Sequence, residues 1–145
     1  MFKKILVPTD GSPLALSAAS TAIELAKTHG AQIIGVFVID PFPYIGIGDA
    51  SAAGLQAYLA ETRSVAGQAL DALSQACAAA GVPFAGDTIE RNVVYEGVIE
   101  TAQAEGCDLI VMASHGRQGV SALVLGSVAQ KVLTHTRLPV LIVKG

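Results

Sequence analysis

The sequence predicts an α/β fold: a single doubly wound domain with a five-stranded parallel sheet and helices on both faces. Three observations lead to this. Short apolar runs alternate with longer segments whose apolar residues recur every three or four positions, giving the order β-α-β-α-β-α-β-α-β. Most of the short runs are apolar throughout, as expected of strands covered on both faces. The chain has 145 residues, 52% of them hydrophobic and 14% charged, which suits one domain spanning residues 1–145 with one sizeable core.

The strands are predicted from five short segments bounded by turn residues. Four are continuous apolar runs, whereas the third interleaves charged and apolar residues and therefore suits an exposed edge. The predicted strands are residues 4–7, 33–39, 84–91, 109–112 and 139–143.

The helices lie between these strands, and the first has the clearest ends. Ser12 is a favourable N-cap, Pro13 suits the first helical position, and Gly30 follows the last turn as a stop signal. The other predicted helices are residues 51–80, 94–105 and 128–136, and residues 42–50 are predicted to form a loop.

The order of the strands is predicted from the chemistry of the loops. In open α/β sheets, ligands bind at the carboxyl ends of strands where the strand order reverses. The loops after the first and fourth strands hold the most unusual residues. The reversal is therefore expected between these two strands, which favours the order 3-2-1-4-5.

Composition argues against several classes of function. The formal net charge is −3 with no basic cluster, so nucleic acid is not an expected partner. No apolar stretch approaches the roughly 20 residues needed to span a bilayer, so no membrane association is expected. Cys77 and Cys107 form neither a disulfide framework nor a metal-ligand spacing. The default expectation is a soluble, cytoplasmic protein.

The loop after the fourth strand has the features of an anion site. It contains Gly116, Gly119 and Gly126 and enters a helix at Ser127. Unpaired N–H groups and the helix dipole favour negative charge at such a position. At Gly116 and Gly126, glycine permits positive φ and close approach of the backbone to an anion. The residues expected to contribute are Gly116, Arg117, Gly126, Ser127, Val128 and Ala129.

An alternative without a ligand exists for the start of this helix. Ser127 and Gln130 have the spacing of a capping box, which stabilises a helix by itself. Asp10, after the first strand, is equally open to two interpretations. It could hydrogen-bond a ribose or adenine or help to hold a divalent cation, or it could satisfy the backbone of a turn at Gly11 and Ser12.

No catalytic or metal-binding residue is assigned from the sequence. It contains neither a P-loop nor a G-x-G-x-x-G segment after the first strand, and no Ser-His-Asp set is evident. His115 is expected to be exposed and has no carboxylate partner that the sequence identifies.

Several segments together resemble one family. Gly116, nine further residues and Gly126-Ser127 match the second half of the signature Gly-x2-Gly-x9-Gly-(Ser/Thr), with Ala113 at its first glycine. The opening KKILVPTDGS (3–12), CDLIVM (107–112) and LPVLIV (138–143) are also similar. On these segments the chain resembles the universal stress protein family, a group of adenine-nucleotide-binding α/β domains. An alanine at 113 costs little if its φ is negative and weakens binding if φ must be positive.

The resemblance implies a ligand, a set of site residues and a partner. The ligand would be ATP, or else AMP or ADP, with Mg²⁺ or Mn²⁺ as a companion ion. Asp10 and the backbones of Pro8, Thr9 and Val38 would receive adenine and ribose. Met112, Ala113 and Gly116 would line the same pocket, and Gly126, Ser127, Val128 and Ala129 would take the phosphates. A homodimer would form through the last strand, residues 139–143.

Three functions stay open at this point. The first is a regulatory nucleotide-binding protein of the stress response. The second is a slow ATP hydrolase that uses the surroundings of Ser127 and His115. The third is a dimeric interaction module that has lost nucleotide binding. The first is favoured because no general base or second acid is evident near the loop.

Overall fold

The structure, a computed structural model, describes residues 1–41, 52–116 and 124–145. The predicted loop at residues 42–50, as well as Arg117 and Gly119, lie outside these described residues. The strands are β1 (Lys4–Pro8), β2 (Gln32–Ile39), β3 (Phe84–Glu90), β4 (Leu109–Ala113) and β5 (Val140–Val143). The helices are α1 (Pro13–His29), α2 (Ala52–Ala80), α3 (Val94–Ala104) and α4 (Ser127–His135).

The sheet has the predicted class and order. Its strands lie in the order β3-β2-β1-β4-β5, and every neighbouring pair is parallel. The central strand β1 is buried on both faces, with Ile5, Leu6 and Val7 fully covered. In contrast, β3 is largely exposed along its length, which confirms the prediction of an edge strand.

The ends of α1 follow the sequence signals. The Ser12 hydroxyl accepts a hydrogen bond from the Ala15 N–H at 3.2 Å, and Pro13 is the first helical residue. Gly30 adopts a left-handed conformation with φ of 66° and donates its N–H to the Ala26 carbonyl. A residue with a Cβ is disfavoured in that conformation, so glycine ends the helix here.

Two layers of core side chains cover the faces of the sheet. One layer joins α1 and α2 to the odd-numbered residues of β1 and β4, among them Ile5, Val7, Leu109 and Val111. The other joins α3 and α4 to the even-numbered residues, among them Leu6, Ile110 and Met112. Alternation of side chains across the strands therefore divides the apolar residues between two helical layers.

The carboxyl ends of β1 and β4 lie where the chain changes face. The two strands pair at Ile5–Leu109 and Leu6–Ile110, and beyond these pairs β1 continues to Pro8 and β4 to Ala113. The helix after β1 covers one face of the sheet and the helix after β4 covers the other. This is the reversal at which α/β sheets form a crevice. Within the described residues, no helix combines the length and apolar character needed to cross a membrane.

Candidate functional site

The Asp10 carboxylate lies at the carboxyl end of β1, and its two oxygen atoms contact two different loops. Its Oδ1 accepts a hydrogen bond from the Ser12 N–H at 2.9 Å, which is the turn role anticipated from the sequence. Its Oδ2 lies against Gly116, so close that a Cβ built on that glycine would overlap it. The two loops on either side of the strand reversal therefore meet at this carboxylate.

The turn that presents Asp10 depends on Gly11. Its φ is 79°, in the left-handed region, and its N–H donates to the Thr9 hydroxyl at 3.1 Å. The Thr9 N–H continues the ladder by donating to the Val36 carbonyl at 2.9 Å. Hydrogen bonds therefore fix Thr9 and Asp10 directly after the strand.

The backbone of Val38 faces the crevice. The pairing of β1 with β2 ends with Pro8 and Val36, where the Thr9 N–H reaches the Val36 carbonyl. Backbone groups of alternate residues in a strand point to the same side, so those of Val38 point toward β1 as those of Val36 do. There β1 has already turned away. The Val38 N–H and carbonyl are therefore positioned to bind an external group.

Gly126 is required by contact rather than by an unusual backbone conformation. Its N–H donates to the Ser114 carbonyl at 2.6 Å, and a Cβ on it would lie 2.8 Å from that oxygen and 3.0 Å from the His115 Cα. Of the two properties that glycine permits at Gly116 and Gly126, positive φ is not used. The φ of Gly126 is −63°, and Gly116 is not among the glycines with positive φ. Close approach of backbone segments explains both positions.

Ala113 causes no backbone strain. It is the last residue of β4, and its φ is not positive. Of the two cases considered for this position, the favourable one therefore holds: the methyl group is compatible with the backbone, and the N–H keeps its direction.

The start of α4 is not closed by a capping box. The N-cap is Gly126, which has no side chain, and Ser127 is the first helical residue rather than the cap. The capping-box interpretation was wrong by one position. Among the described residues, the first-turn N–H groups of Ser127, Val128 and Ala129 therefore donate to no capping side chain. The Ala129 methyl is buried at 2% exposure, so only the backbone of this residue can meet a ligand.

Ser114 was not singled out from the sequence. It is 2% exposed, its N–H donates to the Val143 carbonyl at 2.9 Å, and its own carbonyl receives the Gly126 N–H. Its hydroxyl has no hydrogen-bond partner in the part of the chain that the structure describes. A buried hydroxyl of this kind is uncommon. No sequence pattern distinguishes it from the other serines, because its isolation depends on the surrounding fold.

The remaining side chains of the site carry little reactive chemistry. His115 is partly exposed, and its Nδ1 lies 3.3 Å from the Gly116 carbonyl. Met112 is 6% exposed and points into the core, so only its backbone can meet a ligand. Among residues 1–41, 52–116 and 124–145, no group of three or more potential ligands gathers into a metal centre. Arg117 lies outside the described residues.

The described crevice thus combines a carboxylate, an open strand edge and a helix N-terminus that has no capping side chain. The structure joins Asp10 to Gly116 and joins Ser114 and His115 to Gly126 by direct contact. Such a surface suits a ligand with a hydrogen-bonding ring or sugar at one end and negative charge at the other.

Comparison with known proteins identifies a family for this arrangement. The model of the universal stress protein family matches residues 1–144. A universal stress protein of Methanocaldococcus jannaschii is 35% identical over 145 residues, with 99% of this chain and 83% of the relative covered. The crystal structure of a protein of this family from Burkholderia pseudomallei has a TM-score of 0.80 at 30% identity, covering 99% of this chain and 96% of the other.

Two more distant structures carry ligands. A universal stress protein from Archaeoglobus fulgidus in complex with dAMP has a TM-score of 0.67 at 20% identity, with 98% of each chain covered. A universal stress protein in complex with cAMP has a TM-score of 0.69 at 22% identity, with 98% of this chain and 96% of the other covered. At these identities the likeness concerns the fold.

Proposed function

Because this chain belongs to the universal stress protein family, we propose that it binds ATP, or AMP or ADP, and acts as a nucleotide-dependent regulatory or interaction module. The nucleotide would lie at the carboxyl ends of β1 and β4. The observation that carries the proposal is the contact of Asp10 with Gly116 across the strand reversal, beside the N-terminus of α4, whose N-cap Gly126 has no capping side chain.

The adenosine end is assigned to the β1–β2 side of the crevice. The backbones of Pro8, Thr9 and Val38 and the Asp10 carboxylate supply hydrogen-bonding groups there, with Met112, Ala113 and Gly116 opposite. The dAMP and cAMP held by two structural neighbours have adenine in common, which supports this choice of base.

The phosphate end is assigned to α4. The first-turn N–H groups of Ser127, Val128 and Ala129 would bind the phosphate oxygens, Gly126 would let the backbone come close to them, and Arg117 would add a guanidinium. Negative φ at Ala113 supports binding despite the departure from the family signature. A companion Mg²⁺ or Mn²⁺ fits only with phosphate oxygens and water as its main ligands, since carboxylates are sparse in the described site.

The regulatory role is preferred to hydrolysis on the chemistry of the described residues. The Nδ1 atom of His115 lies 3.3 Å from the Gly116 carbonyl, and a carbonyl oxygen does not activate an imidazole as a base in the way that a carboxylate does. The measurement is the nucleotide released when the purified protein is denatured, followed by titration with ATP, AMP and GTP. We expect adenine nucleotide to be bound and little ADP to form over hours with Mg²⁺.

A matched pair of variants tests the position of the site. Asp10→Ala should weaken ATP binding by about tenfold, because it removes a charged hydrogen-bonding group. Asp71→Ala, which removes an exposed carboxylate on α2, should have no effect. The proposal would be overturned if the protein co-purified with no nucleotide and gave no binding signal with millimolar ATP. Rapid formation of ADP would instead favour the alternative function, an ATP hydrolase.

A homodimer through β5 and a cytoplasmic location complete the proposal. The strand β5 is last in the sheet order, and Leu141 on it is 38% exposed. An edge strand of this kind has backbone groups available for a second strand. Leu141→Asp should lower the mass measured by light scattering to that of one chain. Leu16→Asp is the control, since Leu16 is 49% exposed on α1. Unchanged mass for Leu141→Asp would argue against this interface.

A further inference from the structure

Helix α3 lies unusually close to the strand that carries the adenosine end of the proposed site. The contact is made at Gly97, in the first turns of the helix. A Cβ on Gly97 would lie 3.0 Å from the Val38 Cγ1, 3.1 Å from the Ile89 Cδ1 and 3.2 Å from the Val38 Cγ2. Carbon atoms pack best at about 3.5–4.0 Å, so an alanine here would push Val38 or the helix away.

The close packing at Gly97 affects the backbone of Val38, not only its side chain. Gly97 is buried, and its carbonyl accepts a hydrogen bond from the Thr101 hydroxyl at 2.8 Å. The next residue of β2, Ile39, is held in the sheet because its carbonyl accepts a hydrogen bond from the Arg91 N–H at 2.9 Å. Because Ile39 is held in the sheet, a side chain at position 97 that displaces the Val38 methyl groups should also shift the Val38 N–H and carbonyl, which face the crevice.

We infer that Gly97 is a positioning residue that sets the distance between the Val38 backbone and the base. The inference rests on the proposed function and deepens it. The absence of a side chain at 97 lets α3 support Val38 from behind. The three atoms nearest to a Cβ at position 97 belong to Val38 and Ile89 and not to the first turn of α4, where the phosphate end is assigned. Gly97 therefore controls recognition of the adenine ring and not of the phosphates.

The test compares two ligands and two glycines. Gly97→Ala should weaken ATP binding about tenfold, the loss expected when two ring hydrogen bonds are misplaced. Its affinity for inorganic triphosphate, measured by competition or calorimetry, should stay unchanged, and its preference for ATP over GTP should fall. Gly67→Ala is the control, because a Cβ at that helical glycine meets nothing within 4 Å. It should leave the affinities for both ligands unchanged.

A second variant separates positioning from a general loss of structure. Val38→Ala removes the two methyl groups that crowd position 97 and keeps the backbone groups. Combined with Gly97→Ala, it should restore most of the ATP affinity. Equal ATP binding by Gly97→Ala and the wild type would overturn the inference, as would equal weakening of ATP and triphosphate. A wild-type protein that binds triphosphate but not ATP would instead contradict the proposed adenine site, and the inference with it.

Discussion

Gly116 lies directly against the Asp10 carboxylate, so that a Cβ on the glycine would overlap Oδ2. The contact joins the turn after β1 to the loop after β4, two segments that follow strands 105 residues apart in the chain at Lys4 and Leu109. It also places the only carboxylate named in the proposed site beside a backbone that has no side chain to block a ligand. The Asp10 side chain therefore occupies the space that a side chain at position 116 would need.

Gly116→Ala should destabilise the protein and weaken ATP binding through this contact. Because the φ of Gly116 is not in the left-handed region, the cost comes from displacing Asp10 and not from backbone strain. A loss of about 1–3 kcal/mol in the free energy of unfolding is expected for such overpacking. Urea denaturation provides the measurement.

The same effect should be smaller when Asp10 is shortened. In an Asp10→Ala background the added methyl group at 116 meets no carboxylate, so the two changes should couple by about 1 kcal/mol or more. Additive losses in the double-mutant cycle would show that the overlap is relieved elsewhere in the loop.

Gly126→Ala tests the second close approach. A φ of −63° suits alanine, yet its Cβ would lie 2.8 Å from the Ser114 carbonyl oxygen. The start of α4 must therefore move away from Ser114. This movement lengthens the hydrogen bond from the Gly126 N–H to the Ser114 carbonyl and misplaces the proposed phosphate-binding N–H groups. We expect a lower melting temperature and a smaller ATP-induced thermal shift. A full shift in this variant would place the phosphates away from α4.

Ser114→Ala should leave stability unchanged or raise it by up to about 1 kcal/mol, because it removes a buried hydroxyl without a partner among the described residues. Ser12→Ala is the matched comparison. Ser12 is 5% exposed, and its hydroxyl caps α1 by accepting the Ala15 N–H. That variant should lose about 1 kcal/mol. Equal losses for both variants in urea denaturation would reveal a partner for the Ser114 hydroxyl, such as an internal water.

The fold was predictable because local and global signals agree. The capping signals at Ser12 and Gly30 fix one helix, and continuous apolar runs mark the strands that two layers cover. The strand order followed from loop chemistry, since ligand-binding loops gather where the order reverses.

The details of the site were less predictable, because they depend on which segments touch. The sequence shows glycine at 116 and 126 but does not show whether conformation or contact requires it, and contact proves to be the reason. The capping-box interpretation places Ser127 at the N-cap, one residue before its observed position as the first residue of the helix. That difference of one residue decides whether a capping box forms. The isolation of the Ser114 hydroxyl has no signature at all in the chain.

The Cys107 thiol should make the protein less stable in alkali. Burial raises the pKa of this thiol from the ordinary 9.0 to about 11; the neighbouring Lys4 ammonium lowers that pKa, and Glu105 and Asp108 add to the rise. Between pH 9 and pH 11 the unfolded chain has lost the proton that the folded chain still holds. The unfolded state then binds fewer protons, so the free energy of unfolding falls as the pH rises through this range.

Replacing the thiol isolates its share of this alkaline loss. Between pH 8 and pH 10, Cys107 should account for about 1 kcal/mol of lost stability. Cys107→Ala should therefore lose less stability than the wild type over this interval, because it lacks the thiol whose pKa differs between the folded and unfolded states. Burial also raises the pKa of Cys77, so Cys77→Ala should reduce the slope as well. Parallel pH profiles for the wild type and Cys107→Ala in urea denaturation would mean that the thiol ionises as readily in the folded protein as in the unfolded chain.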